Sequence, residues 1–411
     1  MRRLALGVAI GLAAACVPAP SVTVTSPSSL SSFHATPRPS PPTPSPTESP
    51  GPLNVASAIG TVPTSFHYFS TGQGESFRIL LFDEERAQPP VVVLTSGRQP
   101  VAAAPDVVSE AFTVSADGRV VILMRRLSEQ GSAYYLLRPE SGEVRPLLSG
   151  PGLGPPVVSA DGQRIAFPRK SEDPAVNGLW LFAIAASPPA PTRLVSDDPP
   201  QRVGSPPEPV AWSPDGKWLA IAVGLGDSGT EIAVVDPSAG ETRYGAMTDS
   251  FAGGRTRVLG PGFAADWRGG ERALLITSSR TMFGGRTRVY VADVTTGATR
   301  VLYAPSGLTS STDPNLDAAI WHPSLDRFAV DEHPRAGGVG VPTAIWVRGV
   351  DGSATKVAES PFLSSPWWSG DGTKLFSITG GDDSTGSITN LLGTGGGTIF
   401  CRRGGEPGRC T

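Results

Sequence analysis

The sequence predicts an all-β protein, a β-propeller of four-stranded antiparallel blades, with seven blades favoured and six as the alternative. Three observations carry this. An apolar strand runs into a Ser-x-Asp-Gly-like turn and out into a second apolar strand six times. The copies are FTVSADGRVVIL from Phe112, VVSADGQRIAF from Val157, VAWSPDGKWLAIAV from Val210, AADWRGGERALLIT from Ala264, AAIWHPSLDRFAV from Ala318 and PWWSGDGTKLFSI from Pro366. The spacing is that of one blade: Asp117 to Asp161 is 44 residues and Asp161 to Asp215 is 54. The third strands also stack in register. RILLFD, AYYLLRP, GLWLFAI, EIAVVDP, RVYVADV and AIWVRGV place Leu80, Tyr135, Trp180, Ala233, Tyr290 and Trp346 in one column.

Taken in chain order, residues 1–16 read as an export signal. Arg2 and Arg3 precede an apolar run from Leu4 to Ala14, and small residues precede Cys16. The run is too short to span a membrane. The placement of Cys16 resembles a bacterial lipoprotein signal, which implies lipidation there; ordinary cleavage after Ala15 is the alternative. Residues 17–60 are rich in Pro, Ser and Thr with few large apolar side chains. Such a segment buries too little surface to fold and reads as an extended stalk. The propeller is then assigned to residues 61–411.

The first three strands of the propeller are FHYFS, RILLFD and PVVVLT, which lack a matching turn. TIFCRR near the C-terminus is the expected fourth strand, closing the ring. In the following repeats the turn chemistry is explicit. In SPDG at 213–216, Pro suits the second turn position, Asp215 bonds the backbone of its own turn, and Gly216 takes a positive φ. Trp212, Trp267, Trp321 and Trp368 form a column on the innermost strands, where bulky rings fill the space between blades. Arg145, Arg193, Arg243, Arg300 and Lys356 form a basic column on the outermost strands, where charge discourages edge-to-edge pairing. Cys401 and Cys410 flank eight residues, and in an oxidising compartment they read as a short-loop disulfide that pins the C-terminus.

WSPDG at 212–216 is the hallmark turn through which the chain resembles the TolB-type propeller family. The resemblance covers about Phe66 to Arg403, with WRGGE at 267 and WHPSL at 321 as degraded copies. It implies the fold and says little about function. TolB carries an additional N-terminal α/β domain where this chain has its Pro-rich stalk, so a Tol-Pal role does not carry over. Related repeats occur in peptidases of the prolyl oligopeptidase type, whose hydrolase domain is absent here. They also occur in oligogalacturonate lyases, which use a His-based metal site.

Strand order gathers the tight turns on one face and the long connections on the other, and loops held by a rigid scaffold are where binding resides. On the long-loop face GGRTRV occurs twice, at 253–258 and 284–289. Arg255, Arg257, Arg280 and Arg286 are therefore candidate forks for carboxylate or phosphate, against chance in an Arg- and Gly-rich chain. His333 and Arg335 in the loop DEHPRAGG join them. Asp382 and Asp383 are weak candidates for Ca²⁺, against the commoner reading of solvated loop acids; no other cofactor is predicted.

A net charge of −3 argues against nucleic acid. No Walker loop or dinucleotide fingerprint is present, and GDSG at 226–229 sits in a loop without the double-barrel pattern of a serine protease. His34, His67, His322 and His333 are scattered along the chain. The expectation is a non-catalytic cell-envelope scaffold, periplasmic or at the cell surface, that binds an envelope protein or glycan and meets the membrane only through a lipid anchor. An extracytoplasmic lyase or hydrolase acting on polysaccharide is the first alternative, and a structural component of an envelope assembly the second.

Overall fold

A computed structural model describes residues 53–55, 58–71, 77–86, 90–96, 111–128, 131–173, 175–186, 190–196, 206–224, 229–243, 256–267, 272–278, 287–305, 314–333, 342–360, 363, 366–380, 386–393, 398–403 and 406–408. They belong to one compact unit, Glu48–Thr411. Its strands make seven antiparallel blades in a ring. The export signal, Cys16 and most of the stalk lie outside the described residues.

Each blade from the second onward begins with an innermost strand. These are Ala111–Val114, Val157–Val158, Glu208–Trp212, Ala264–Trp267, Ile320–Trp321 (with Asn315–Leu316 ahead of it) and Trp367–Trp368. The side chains alternate between the two faces of a strand, so each blade presents apolar surface to both neighbours. Seven buried clusters result, one per blade interface. One joins Ile122, Tyr134 and Leu136 to Ile165, Phe167 and Phe182. The ring closes through Phe82 and Leu80 against Trp367 and Phe376, with the Phe82 and Phe376 rings edge to face at 5.5 Å.

The turn chemistry is built as its residues dictate. Ser115 Oγ donates to Asp117 Oδ1 at 2.6 Å, and the amide of Val120 donates to Ser115 Oγ at 3.0 Å. Ser213 with Asp215 and Ser369 with Asp371 repeat the clasp at 2.7 and 2.6 Å. The following Gly118, Gly162, Gly216 and Gly372 all have φ near +70°, which costs Gly nothing. The WHPSL copy makes the same turn with different parts. His322 stands for Ser and Ser324 for Asp, 2.6 Å apart, while Leu325 takes the left-handed φ of 65°. The second nitrogen of His322 lies 2.9 Å from the carbonyl of Gly372 in the next blade. A carbonyl only accepts, so Nε2 carries the proton and Nδ1 accepts from Ser324.

The aligned third-strand column coincides with a backbone feature. A register shift falls between Tyr134 and Tyr135, Leu179 and Trp180, Ile232 and Ala233, Val289 and Tyr290, and Ile345 and Trp346. The first blade has it between Ile79 and Leu80. Arg78–Asp83 is therefore the third strand of its blade, Phe66–Thr71 the second and Val91–Ser96 the fourth.

Two expectations are corrected here. The extra strand of the first blade is Leu53–Val55, which pairs outside Val91–Ser96 and brings part of the expected stalk into the propeller. TIFCRR belongs instead to the seventh blade, as Thr398–Arg403 beside Gly386–Asn390. A strand closes onto whichever edge is nearest, and apolar Leu53-Asn-Val55 has no turn signal to stop it. The outer strand of the fourth blade is Thr256–Pro261, part of the stretch read as a long loop. Thr242–Arg243, read as that strand, pairs with the edge of the third blade.

Among the described residues, no strand pairs with the inner edge of Phe66–Thr71. Every other blade has an innermost strand among the described residues, and the first has none.

Candidate functional site

Two places on the ring break its regularity. The first is the inner edge of Phe66–Thr71, with which no strand pairs among the described residues. A cavity of ≈ 490 Å³ lies there, between Phe66, His67 and Tyr68 on one side, Val114–Ala116 of the second blade, and Trp367 and Trp368 of the seventh. The His67 and Trp367 rings stack at 4.0 Å, and burial pushes the His67 imidazole down to about 4, so it is neutral at pH 7. Tyr68 Oη donates to the Gly118 carbonyl at 2.9 Å. Glu84, only 3% exposed, closes one end of the cavity. Its carboxylate accepts from Trp367 Nε1 at 3.0 Å, from the Gly370 amide at 3.2 Å, and from Ser65 Oγ. Lys374 Nζ donates to its carbonyl at 2.8 Å. This carboxylate is fully engaged in holding the first and seventh blades together.

The second place is on the long-connection face of the sixth blade. Asp331 and His333 are two apart on the strand Arg327–His333 and so point to the same side. That side also carries Ala329, which packs with Leu375 of the seventh blade. Asn315 pairs with His333 and Leu316 with Glu332, so Asp317 comes next in register, beside Asp331. Its amide lies 3.2 Å from the Asp331 carbonyl. His333 Nε2 stands 2.8 Å from Asp317 Oδ2 and 3.7 Å from Asp331 Oδ2. His333 Nδ1 is held 2.8 Å from the hydroxyl of Thr343, at the start of the next strand. One ligand atom from each of Asp317, Asp331 and His333 lies within 4.8 Å of the others.

Asp331 is the unusual member. It is 1% exposed, and neither of its oxygens has a hydrogen-bond partner. Burial first, and then the negative charge of Asp317, push its carboxyl up to about 7, with His333 pulling the other way. Glu332 points to the opposite side, where Arg348 donates to it at 2.6 Å while stacking on the ring of Tyr303. That cation is therefore engaged away from the pair of aspartates.

Of the residues singled out in the sequence, His333 is central to this cluster. Arg257 lies in the outer strand of the fourth blade, opposite Val234, with Asp293 as a charge partner. Arg255, Arg280, Arg286, Arg335, Asp382, Asp383 and Cys410 lie outside the described residues; of Cys401 the described part is its strand, paired with Gly408. His67, His322 and His333 each have separate partners. Asp317 and Asp331 were missed. The signal that finds Asp331 is the alternation Asp331-Glu332-His333, which puts two ligand-type side chains on one strand face; Asp317 has no such signal. Two members of the outer basic column do more than guard an edge: Arg145 donates to the Ile184 carbonyl, and Arg193 pairs with Glu241 at 2.8 Å, each reaching the next blade.

No protein-family model matches the chain, and no curated protein does. Among solved structures it is similar to a prolyl endopeptidase (13% identity, 84% of this chain and 50% of that one, TM-score 0.52). It is also similar to TolB from Acinetobacter baumannii (13%, 82% and 62%, 0.42) and to an oligogalacturonate lyase in complex with manganese (10%, 83% and 83%, 0.49). The chain thus spans half of the peptidase and under two thirds of the TolB protein. The likeness is one of fold: the propeller implied by the WSPDG turn is the fold this chain has.

Proposed function

We propose that this chain is an exported, non-catalytic scaffold of the cell envelope, tethered through Cys16, that binds an extended segment of an envelope protein or glycan. The observation that carries the reading is the ≈ 490 Å³ cavity beside the inner edge of Phe66–Thr71, with which no strand pairs among the described residues. Its walls include the rings of Phe66, His67, Tyr68, Trp367 and Trp368, and the polar groups beside them are held in place, Ser115 by Asp117 and Ser65 and Trp367 by the Glu84 carboxylate. Apolar walls with a few fixed polar groups suit a ligand that is held and not transformed. That edge is one strand long, which suits an extended occupant.

The test is cross-linked capture from the envelope of the producing cell, followed by identification and rebinding of the purified partner. Ala116, exposed at the cavity rim, is changed to Trp in one bait, and Arg255 and Arg286 are changed to Ala in another. Loss of rebinding only in Ala116→Trp is the expected result. Loss only in the Arg variant moves the binding face to the long loops, and retention in both sinks the scaffold reading at either place. An enzyme acting on polysaccharide is the second reading, and the cluster of Asp317, Asp331 and His333 is the observation that favours it.

A further inference from the structure

The sixth blade carries a feature that the cavity does not explain and that is independent of it. Asp331 places a carboxylate almost entirely out of water without a hydrogen-bond partner for either oxygen. A carboxylate in that position is expensive unless a cation or a proton compensates it. The nearby guanidinium does not supply the compensation, since Arg348 is bound to Glu332 on the other side of the strand, and His333 stands 3.7 Å away with Asp317 as its nearer partner. A second carboxylate, Asp317, increases the negative charge.

We propose that Asp317, Asp331 and His333 form a binding site for one divalent first-row transition-metal ion of the Mn²⁺ or Zn²⁺ class. The geometry fits in four respects. Ligand atoms bound to one ion at about 2.0–2.2 Å lie roughly 2.8–3.1 Å apart when they subtend a right angle and up to about 4.4 Å apart when opposite. Here His333 Nε2 is 2.8 Å from Asp317 Oδ2 and 3.7 Å from Asp331 Oδ2. The imidazole is oriented from behind by Thr343 at 2.8 Å, the arrangement by which an outer partner fixes a ligating His. A hydroxyl both donates and accepts, so Thr343 suits the tautomer that bonds Asp317 and equally the one that frees Nε2 for a metal. Finally, the Asp317 and His333 side chains are 49% and 34% exposed, leaving one side open for ion entry and for water ligands.

The donor set selects the class of ion. Two carboxylates and an imidazole are a mixed oxygen and nitrogen set, which Mn²⁺ and Zn²⁺ accept. Calcium takes six to eight oxygens, and the imidazole supplies none. Asp317 directly follows the short strand Asn315–Leu316 and Asp331 lies on Arg327–His333, so the ion would also fasten the entry of the blade to its second strand.

The experiment uses the full chain, stripped with chelator, and titrated calorimetrically with MnCl₂, ZnCl₂ and CaCl₂ in turn. The variants are Asp331→Asn, His333→Gln and Thr343→Val, with Asp215→Asn as a control in an acidic turn far from the cluster. One Mn²⁺ or Zn²⁺ per chain is expected. Asp331→Asn and His333→Gln should each weaken it at least about tenfold, Thr343→Val about tenfold, and Asp215→Asn not at all. Melting in chelator separates binding from folding: Asp331→Asn, which removes a buried charge, should melt no lower than the parent. If it fails to fold, His333→Gln carries the result. Absence of stoichiometric binding, equal binding by folded variants, or preference for Ca²⁺ would each overturn the assignment. Because Ala116→Trp leaves this blade untouched, the metal result stands or falls separately from the cavity.

Discussion

The interface between the seventh and first blades is built differently from the others. At the junctions of the third blade with the fourth and of the fourth with the fifth, one solution recurs: a Trp on the innermost strand donates back to the innermost strand of the preceding blade. Trp212 Nε1 reaches the Val157 carbonyl at 3.1 Å, and Trp267 Nε1 reaches that of Ala211 at 3.1 Å. At the closing junction no strand among the described residues pairs with the inner edge of Phe66–Thr71, and none there supplies such a Trp. Glu84 takes over, drawing Trp367, Gly370 and Ser65 to one buried carboxylate. Repetition distributes the cohesion of the ring over many modest bonds, whereas closure concentrates it in one residue.

The largest effect should therefore come from that residue. Glu84→Ala leaves Trp367 Nε1 without its acceptor and Ser65 Oγ without the carboxylate it donates to, while the Gly370 amide keeps only Ser65 Oγ, and it is expected to cost about 3 kcal/mol in denaturant unfolding. A loss no larger than that of a repeat turn would mean the closing junction is an ordinary interface.

Titration gives the next pair, with opposite signs. His67 stays neutral at the closing junction down to about pH 4 because it is buried. Its folded value lies below the ordinary 6.5, so the unfolded chain takes up the proton first. Stability is present above pH 6.5 and is lost as pH falls towards 4, by on the order of 3 kcal/mol. His67→Phe should flatten that limb. Asp266, between the fifth and sixth blades, behaves in reverse. Burial pushes it up to about 6, against the bonds it accepts from the amides of Trp321 and Trp267. The folded state holds its proton more tightly, so stability falls as pH rises from about 4 to 6, by an amount of similar order. The two slopes overlap and partly cancel, and only the single variants separate them. If His67→Phe and Asp266→Asn both leave the pH profile of unfolding unchanged, neither site is as dry as its packing indicates.

The smallest effect belongs to the repeats. Asp215→Ala removes bonds to Ser213 Oγ and the Lys217 amide at an exposed turn and should cost about 1 kcal/mol. That figure is the reference against which Glu84→Ala is to be set.

How much could be read beforehand follows from how local each signal is. The WSPDG turn shows itself because Ser213, Asp215 and Gly216 act on one another within four residues. The third-strand column was visible because the backbone irregularity beside it recurs in every blade, as at Leu179 and Trp180. His333 was picked out by its place in a loop, but Asp317 is 16 residues earlier and gives no local pattern. The Arg257 of the repeated GGRTRV was grouped with loop residues, whereas pairing opposite Val234 makes it part of a strand.

The sequence by itself determined the propeller: the alternation that makes strands, the turns that join them, and a repeat, plain in six copies, whose period fits one blade. Those are interactions between neighbours in the chain, and their chemistry is written in adjacent letters. Tertiary structure alone decided where the ring departs from its repeat. Glu84 meets Trp367 across 283 residues, and Asp317 meets Asp331 only through the register of a blade's inner strand. A contact of that kind depends on the geometry of closure and on burial, which no short stretch of sequence records.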